Sequence, residues 1–403
     1  MNLHAPVILI LLSSVVIISY LFNLLSRKTN IPSVLLLIGT GIAVKYTTAY
    51  YGIIQADVNK LVKILGIAGL IMIVLEAALD LKLSKGKMKL IGDSFASALF
   101  IFLISAFGIG FLVMEWLQVP FARAFLYAVP LSIISSAIVI PSTSHLPEEK
   151  REFIIYESSF SDIFGILVFN YMLMDNMASL GAALKFAGNV GMAAFFSIIA
   201  SLLMLYLLTK ITINIKFFLV FAVLSLLYSL GELIHLPALL IVLVFGLVIN
   251  NASLIIRGPL KRWIGLEGID GVVEAMRSIT AETSFLIRTF FFILFGYTIN
   301  LNVIVLPDVW KLGSIIILIL LFVRFFYLRM ILKSNLFPEL FLMPRGLVTI
   351  LLFYSIPASH SIGGFNEGIL FFVVAVSSVL MMIGLLLFRK DKEPYLEHSE
   401  EAI

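Results

Sequence analysis

Ala124-Phe125-Leu126-Tyr127-Ala128-Val129-Pro130-Leu131-Ser132-Ile133-Ile134-Ser135-Ser136-Ala137-Ile138-Val139-Ile140-Pro141-Ser142-Thr143-Ser144-His145-Leu146-Pro147 runs without one Asp, Glu, Lys or Arg. A helix crosses a bilayer with about 20 apolar residues, so this stretch is long enough to span. It also carries Ser135-Ser136 and then Pro141 in its middle. Proline removes backbone hydrogen bonds, and irregular backbone at membrane depth is tolerated only where it lines a cavity. The stretch therefore reads as a membrane helix that is interrupted around a cavity.

The same uncharged character recurs at Ser94–Val113, Phe186–Thr209, Leu233–Ile256, Thr289–Pro307, Gly346–Asn366 and Gly368–Phe388. Adding runs with one or two charges gives about thirteen spans: 5–25, 31–48, 60–81, 90–116, 121–144, 151–174, 184–209, 214–233, 237–254, 282–303, 310–332, 345–359 and 367–388. The composition agrees. Of 403 residues, 61% are hydrophobic and 13% charged, and the mean hydropathy is +1.11. A soluble domain is about 45–50% apolar and about 25% charged. An all-α integral membrane protein is expected; disorder, a secreted disulfide scaffold and an ordinary cytosolic enzyme are excluded. With no cysteine, thiol catalysis and zinc–thiolate sites are impossible. Pro6–Leu25 lacks a basic start and a small-residue cleavage site, and is read as the first span rather than a signal peptide.

The net charge of +4 follows from loop lysines and arginines, not from a nucleic-acid surface. With the N-terminus outside, inner loops and tail hold 20 of the 28 Lys and Arg, including Lys82, Lys85, Lys87 and Lys89. The C-terminus is expected in the cytoplasm, and the location is the cell (inner) membrane, multi-pass.

The chain repeats itself. Ile31-Pro32-Ser33 opens span 2 and Leu236-Pro237-Ala238 opens span 9, with Gly41 and Gly246 at equal distance beyond. Leu79-Asp80-Leu81 ends span 3 and Ile299-Asn300-Leu301 ends span 10; Ile140-Pro141 with His145 in span 5 matches Ile356-Pro357 with His360 in span 12. Partners lie seven spans apart, which inverts the second copy. The reading is a single transporter domain over 1–403. Repeat one covers 5–174 and repeat two 214–388, and spans 5 and 12 are discontinuous. An amphipathic linker, 255–281, is expected along the inner membrane surface, and a short cytoplasmic tail occupies 389–403.

An ionisable side chain in mid-membrane costs at least about 2.5–3.5 kcal/mol and so asks for a reason. Span 6 contains Glu157-Ser158-Ser159-Phe160-Ser161-Asp162. Ser158 stands four residues before Asp162, on one helical face; Glu157 stands about 140° away. A carboxylate beside hydroxyls suits a small hard cation that exchanges water for oxygen ligands, and the same carboxylate can bind a proton. The other reading of Asp162 is an arginine partner that merely holds helices together. Arg324 in span 11 needs a partner because Arg stays charged, and Glu157 is the natural one, as a structural ion pair. Arg288 in span 10 either neutralises exposed carbonyls at a broken helix or snorkels to the surface. Gly346, Thr349 and Pro357 mark span 12 as the interrupted partner of span 5. Glu76 and Asp80 with Lys82 and Lys85 read as a solvated ion-pair cluster, and Glu232 and His235 as exposed capping groups. No metalloprotease, hydrolase or phosphate-loop pattern is present, so neither an enzyme nor a nucleotide-driven pump is indicated, and no cofactor is implied.

These residues resemble the monovalent cation:proton antiporter superfamily over essentially the whole chain. The resemblance rests on Ile31-Pro32-Ser33, Leu75-Glu76-Ala77-Ala78-Leu79-Asp80, Glu157-Ser158 with Ser161-Asp162, Phe290–Gly296, Arg324 and Arg345-Gly346. It implies a six-helix core containing spans 5, 6, 12 and 13, moving like an elevator against a dimerisation domain, hence a homodimer. It also implies that Asp162 carries the exchanged cation, Na+ foremost, and that Glu157 and Arg324 form a buried pair. Ser135, Ser136 and Ser158 are the further ion ligands; Ser161, Arg288 and Thr349 are supporting residues. The sodium/proton branch has Asn-Asp where this chain has Ser161-Asp162, and Thr-Asp-Pro where it has Ser135-Ser136-Ala137. Paired serines resemble the potassium-efflux branch, so K+/H+ exchange is the alternative. A non-transporting membrane sensor or scaffold and an uncoupled channel are the readings from other classes. Asp162 is left as the one titrating group of the site, so exchange is expected to be electroneutral.

Overall fold

The computed structural model describes residues 5–29, 31–50, 59–83, 85–143, 146–174, 179–210, 217–256, 269–333 and 336–390. His145, residues 257–268 of the expected linker and the tail beyond 390 lie outside them. The described residues are helical with no strand. The helices are α1 (Ala5–Thr29), α2 (Ser33–Tyr50), α3 (Asn59–Asp80), α4 (Met88–Leu117), α5 (Phe121–Ser132), α6 (Ser136–Ser142), α7 (Glu148–Met172) and α8 (Leu180–Lys210). Then follow α9 (Phe217–Leu233), α10 (Ala238–Asn250), α11 (Ala252–Ile255), α12 (Ile269–Thr298), α13 (Leu301–Ile304), α14 (Pro307–Phe326), α15 (Leu347–Tyr354) and α16 (Glu367–Lys390).

Seven helices among the described residues are long and apolar enough to cross a membrane, with three shorter apolar ones. That is fewer than the thirteen spans expected, for a physical reason. α7 carries Glu157 and Asp162 inside its length, and span 12 is helical only over the eight residues of α15. The expected linker also needs correcting at its second half. Residues 269–281 are not a separate surface segment but the first half of α12, which runs unbroken to Thr298. Charges such as Glu274 and Arg277 made this half look like a surface helix.

Two compact units divide the chain, each drawing on both halves of the sequence. The first holds residues up to Leu65, Asp93–Asp162 and residues from Arg288 onward. Here α4 turns Phe100, Ile104, Phe107 and Phe111 outward and buries Ser94, Ser97 and Ser105. Apolar outside and small polar inside reverses the soluble pattern and suits lipid. α4 packs on α14 through Ile101, Val323 and Tyr327. α2 crosses α12 at backbone contact: a Cβ on Gly41 would overlap the Ile293 carbonyl, and one on Gly296 would overlap that of Ile38. The end of α12 is held by Lys45, whose ammonium donates to the carbonyls of Ile299 at 2.6 Å and Thr298 at 3.3 Å. A cation there complements the negative end of the helix dipole.

The second unit comprises Gly66–Gly92 and Ile163–Ile287. α8 packs on α10, where the Ser197 hydroxyl donates to the Ile241 carbonyl at 2.6 Å. α10 crosses α3 with Gly246 against Ala78 and Leu75. The end of α3 is capped by Arg277, which donates to the Leu79 carbonyl at 2.6 and 3.1 Å and lies 3.5 Å from Asp80. Asp80 thus meets an arginine 197 positions away (277 less 80), a partner the sequence reading of that cluster did not name.

Candidate ion-binding site

The site is built where two interrupted helices meet in the first unit. α5 stops at Ser132, residues 133–135 turn extended, and α6 resumes at Ser136. The backbone N–H groups of residues 133–136, released by the break, each have an acceptor, as buried donors must. That of Ile133 donates to the Pro130 carbonyl at 3.4 Å and that of Ile134 to Ser161 Oγ at 3.0 Å. Ser135 N–H donates to the Pro344 carbonyl at 2.9 Å, and Ser136 N–H to Asp162 Oδ2 at 3.3 Å. The Ser136 hydroxyl adds a 2.5 Å bond to the same oxygen.

The carbonyls are satisfied by arginines. Arg345, 1% exposed, donates from Nε to the Leu131 carbonyl at 2.8 Å and from Nη1 to that of Met343. It therefore covers the exposed end of α5 and its own strand-like segment together. Pro141 has no N–H to give the Ala137 carbonyl four residues back, and Arg288 Nη1 takes that place at 2.9 Å. Of the two roles open to Arg288 from sequence, neutralising a carbonyl at a broken helix is the one found. Gly346 packs directly on the break: a Cβ there would lie 2.8 Å from Ser135 Cβ and 2.9 Å from Ile138 Cδ1. Glycine is thus required for the two interrupted segments to touch.

Asp162 is 4% exposed. Its Oδ2 is taken by Ser136, while Oδ1 is buried without a hydrogen-bond partner. The Ser135 and Thr349 hydroxyls, on the break and on the first turn of α15, are likewise buried and unpartnered. Three unclaimed oxygens on three converging elements are the donor chemistry of a small hard cation. The Ser158 hydroxyl donates its proton to the Ile154 carbonyl at 2.8 Å in its own helix, which leaves its oxygen lone pairs as what it would offer a cation. Ser161 serves the backbone of the break through Ile134.

Five residues from Asp162, Glu157 is fully buried and receives both guanidinium nitrogens of Arg324, at 3.1 and 2.7 Å. The Ser97 hydroxyl donates to Glu157 Oε1 at 2.6 Å, and Arg324 Nε donates to the Glu339 carbonyl at 2.7 Å. A bidentate pair with further hydrogen bonds on each partner is the geometry that a buried charge pair requires. Ser97, Arg345 and Glu339 were not singled out as site residues by sequence. Ser94 and Ser97, three apart on a mostly apolar helix, carried a usable signal; Arg345 was quoted only as part of the Arg345-Gly346 motif, without a role.

The described residues contain no group of His, Cys, Asp and Glu arranged to hold a metal in the manner of a metalloenzyme. A cavity of about 790 Å³ lies in the second unit, lined by residues that include Asn170, Lys185, Asn189, Glu232 and His235. None of the candidate site residues lines it. Glu232 accepts from the Tyr228 hydroxyl at 3.0 Å.

A scan of protein families matches residues 11–389 to "Sodium/hydrogen exchanger, transmembrane". The chain belongs to the sodium/hydrogen exchanger family. Two solved structures of the sodium proton antiporter MjNhaP1 from Methanocaldococcus jannaschii share the fold of this chain. The one at pH 8 superposes with a TM-score of 0.67 at 21% identity, covering 93% of this chain and 97% of that one. The one from electron microscopy gives 0.68 at 18% identity, covering 98% and 97%. No curated protein sequence matches this chain. Its family is one of transporters, and the chain is a multi-pass membrane protein.

Proposed function

We propose that this exchanger carries a monovalent cation, Na+ foremost, against H+, with Asp162 as the shared binding group. The observation that carries this is the unclaimed Oδ1 of a buried carboxylate at the crossing of two interrupted helices. A carboxylate that holds either one proton or one cation couples the two fluxes, because the empty charged form is costly to bury and does not cross. Alternating access is assigned to an elevator movement of the site-bearing helices, in a homodimer with the N-terminus outside and the C-terminus in the cytoplasm. The inverted repeat is supported by the glycine contacts: Gly41 of span 2 packs on span 10, and its repeat partner Gly246 of span 9 packs on span 3. Exchanging the two repeats converts one contact into the other.

The test is a fluorescent pH-gradient assay in proteoliposomes with Na+, Li+ and K+ added in turn. Dissipation by Na+ supports the reading, and dissipation by K+ alone selects the potassium alternative that Ser135-Ser136 favours. No dissipation by any cation supports the sensor or scaffold, and current without proton coupling supports the channel.

Stoichiometry follows from the residues around Asp162. Ser161 and Ser136 carry no proton charge, and Glu157 is committed to Arg324. One cation is therefore expected to exchange for one proton with no net charge moved. Sodium-driven exchange at potentials clamped with valinomycin should reach end-points set by the pH and sodium gradients alone. An end-point that shifts with voltage contradicts this.

A further inference from the structure

The first turn of α7 favours acids, and Glu148 and Glu149 occupy it. Lys150 runs against that preference, so its reason lies elsewhere. Its ammonium donates to Glu339 Oε1 at 2.6 Å and to the Phe337 carbonyl at 2.8 Å, and stands 5.8 Å from the centre of the Phe388 ring. Glu339 is 5% exposed, and its Oε2 has no hydrogen-bond partner. The carbonyl of this same Glu339 accepts from Arg324 Nε, and the other nitrogens of Arg324 hold Glu157. Lys150 and Glu157 are seven residues apart on α7, two turns on one face. The contacts close a ring: Lys150, Glu339, Arg324, Glu157 and back along α7 to Lys150.

We propose that Lys150 and Glu339 are positioning residues for the cation site, fixing the register of α7 against α14 and the turn at 336–341. The consequence falls on Asp162, one and a half turns beyond Glu157, whose 2.5 Å bond to Ser136 depends on that register. A shift of α7 by a fraction of an ångström opens this bond and alters the oxygen set around Oδ1. Removing the Lys150 charge alone leaves the buried Glu339 carboxylate without its partner, so some loss of stability is expected whatever the role of the pair. The readout that separates a positioning role from a merely structural one is therefore the KM for the cation. The inference rests on Asp162 being the ion site.

The experiment is cation-dependent exchange in proteoliposomes by Lys150→Met, Lys150→Arg and Glu339→Gln, with Asp162→Asn run alongside. Lys150→Met and Glu339→Gln are expected to raise the apparent KM for the cation about fivefold, the size that an ion pair of this exposure carries. Lys150→Arg, which keeps the charge and its donors, should stay close to the parent. A lower melting temperature with unchanged KM in both neutral variants overturns the proposal, as does an equal KM shift in Lys150→Arg. Glu339→Gln keeps the test decisive if Lys150→Met does not fold. Transport by Asp162→Asn would instead remove the reading of the site beneath it.

Discussion

Asp162→Asn is expected to bring cation-driven proton movement down to the level of protein-free liposomes, with a melting temperature at or above that of the parent. Asparagine has the same shape, and its side-chain oxygen still accepts from Ser136, so the helix break keeps its partner. What is lost is the negative charge and the capacity to hold a proton, which are the two things exchange needs. Stability is not expected to fall, because no salt bridge to Asp162 is present among the described residues and the buried charge is itself a cost. Loss of transport in an unfolded protein would not count; loss in a protein that melts normally would. Full transport by the variant would leave the site without a function.

The second large effect concerns the ion pair on the other face of α7. Glu157→Ala strands the Arg324 guanidinium and the Ser97 hydroxyl in a region where all three are buried. Arg324→Ala strands Glu157 and also the Glu339 carbonyl. Removing one partner of a buried pair typically costs about 3–5 kcal/mol, a large share of any membrane protein's margin. Both single variants are therefore expected to show poor expression and a clearly lower melting temperature in detergent, with Arg324→Ala the worse of the two. Glu157→Gln combined with Arg324→Met removes both charges and should recover part of the loss. Single variants as stable as the parent would show that the pair is not what joins α7 to α14.

These two effects trace to what a membrane sequence makes visible. In a chain where apolar residues fill most positions, a charge inside a span stands out. Asp162, Glu157 and Arg324 could be named, and the last two paired, from the cost of burial alone. The break in span 5 was legible because proline and paired serines are expensive in an apolar run. The all-α membrane fold followed from length and hydropathy, and the family from the resemblance carried by motifs such as Glu157-Ser158 with Ser161-Asp162. Residues whose meaning depends on a distant carbonyl were not legible. Arg345 finds the Leu131 carbonyl 214 positions away, and Lys150 finds Glu339 189 positions away. Lys150 is hidden in the charged run Glu148–Glu152, and the Arg345-Gly346 motif gave no hint of which carbonyl the guanidinium would meet. The continuity of residues 269–281 with the helix that runs to Thr298 was not legible for a related reason: a charged amphipathic pattern does not say whether a segment ends or runs on into the next span.

The central claim is that one carboxylate alternates between a proton and a cation. The most direct measurement is proton release when Na+ is added to the purified protein in weakly buffered detergent solution. Because a carboxylate ligand must be deprotonated to bind a cation, the parent, at a pH low enough for Asp162 to be protonated before Na+ is added, should release one proton for each cation bound, and Asp162→Asn should release none. Cation binding by the parent without proton release, or undiminished release from Asp162→Asn, would contradict the account.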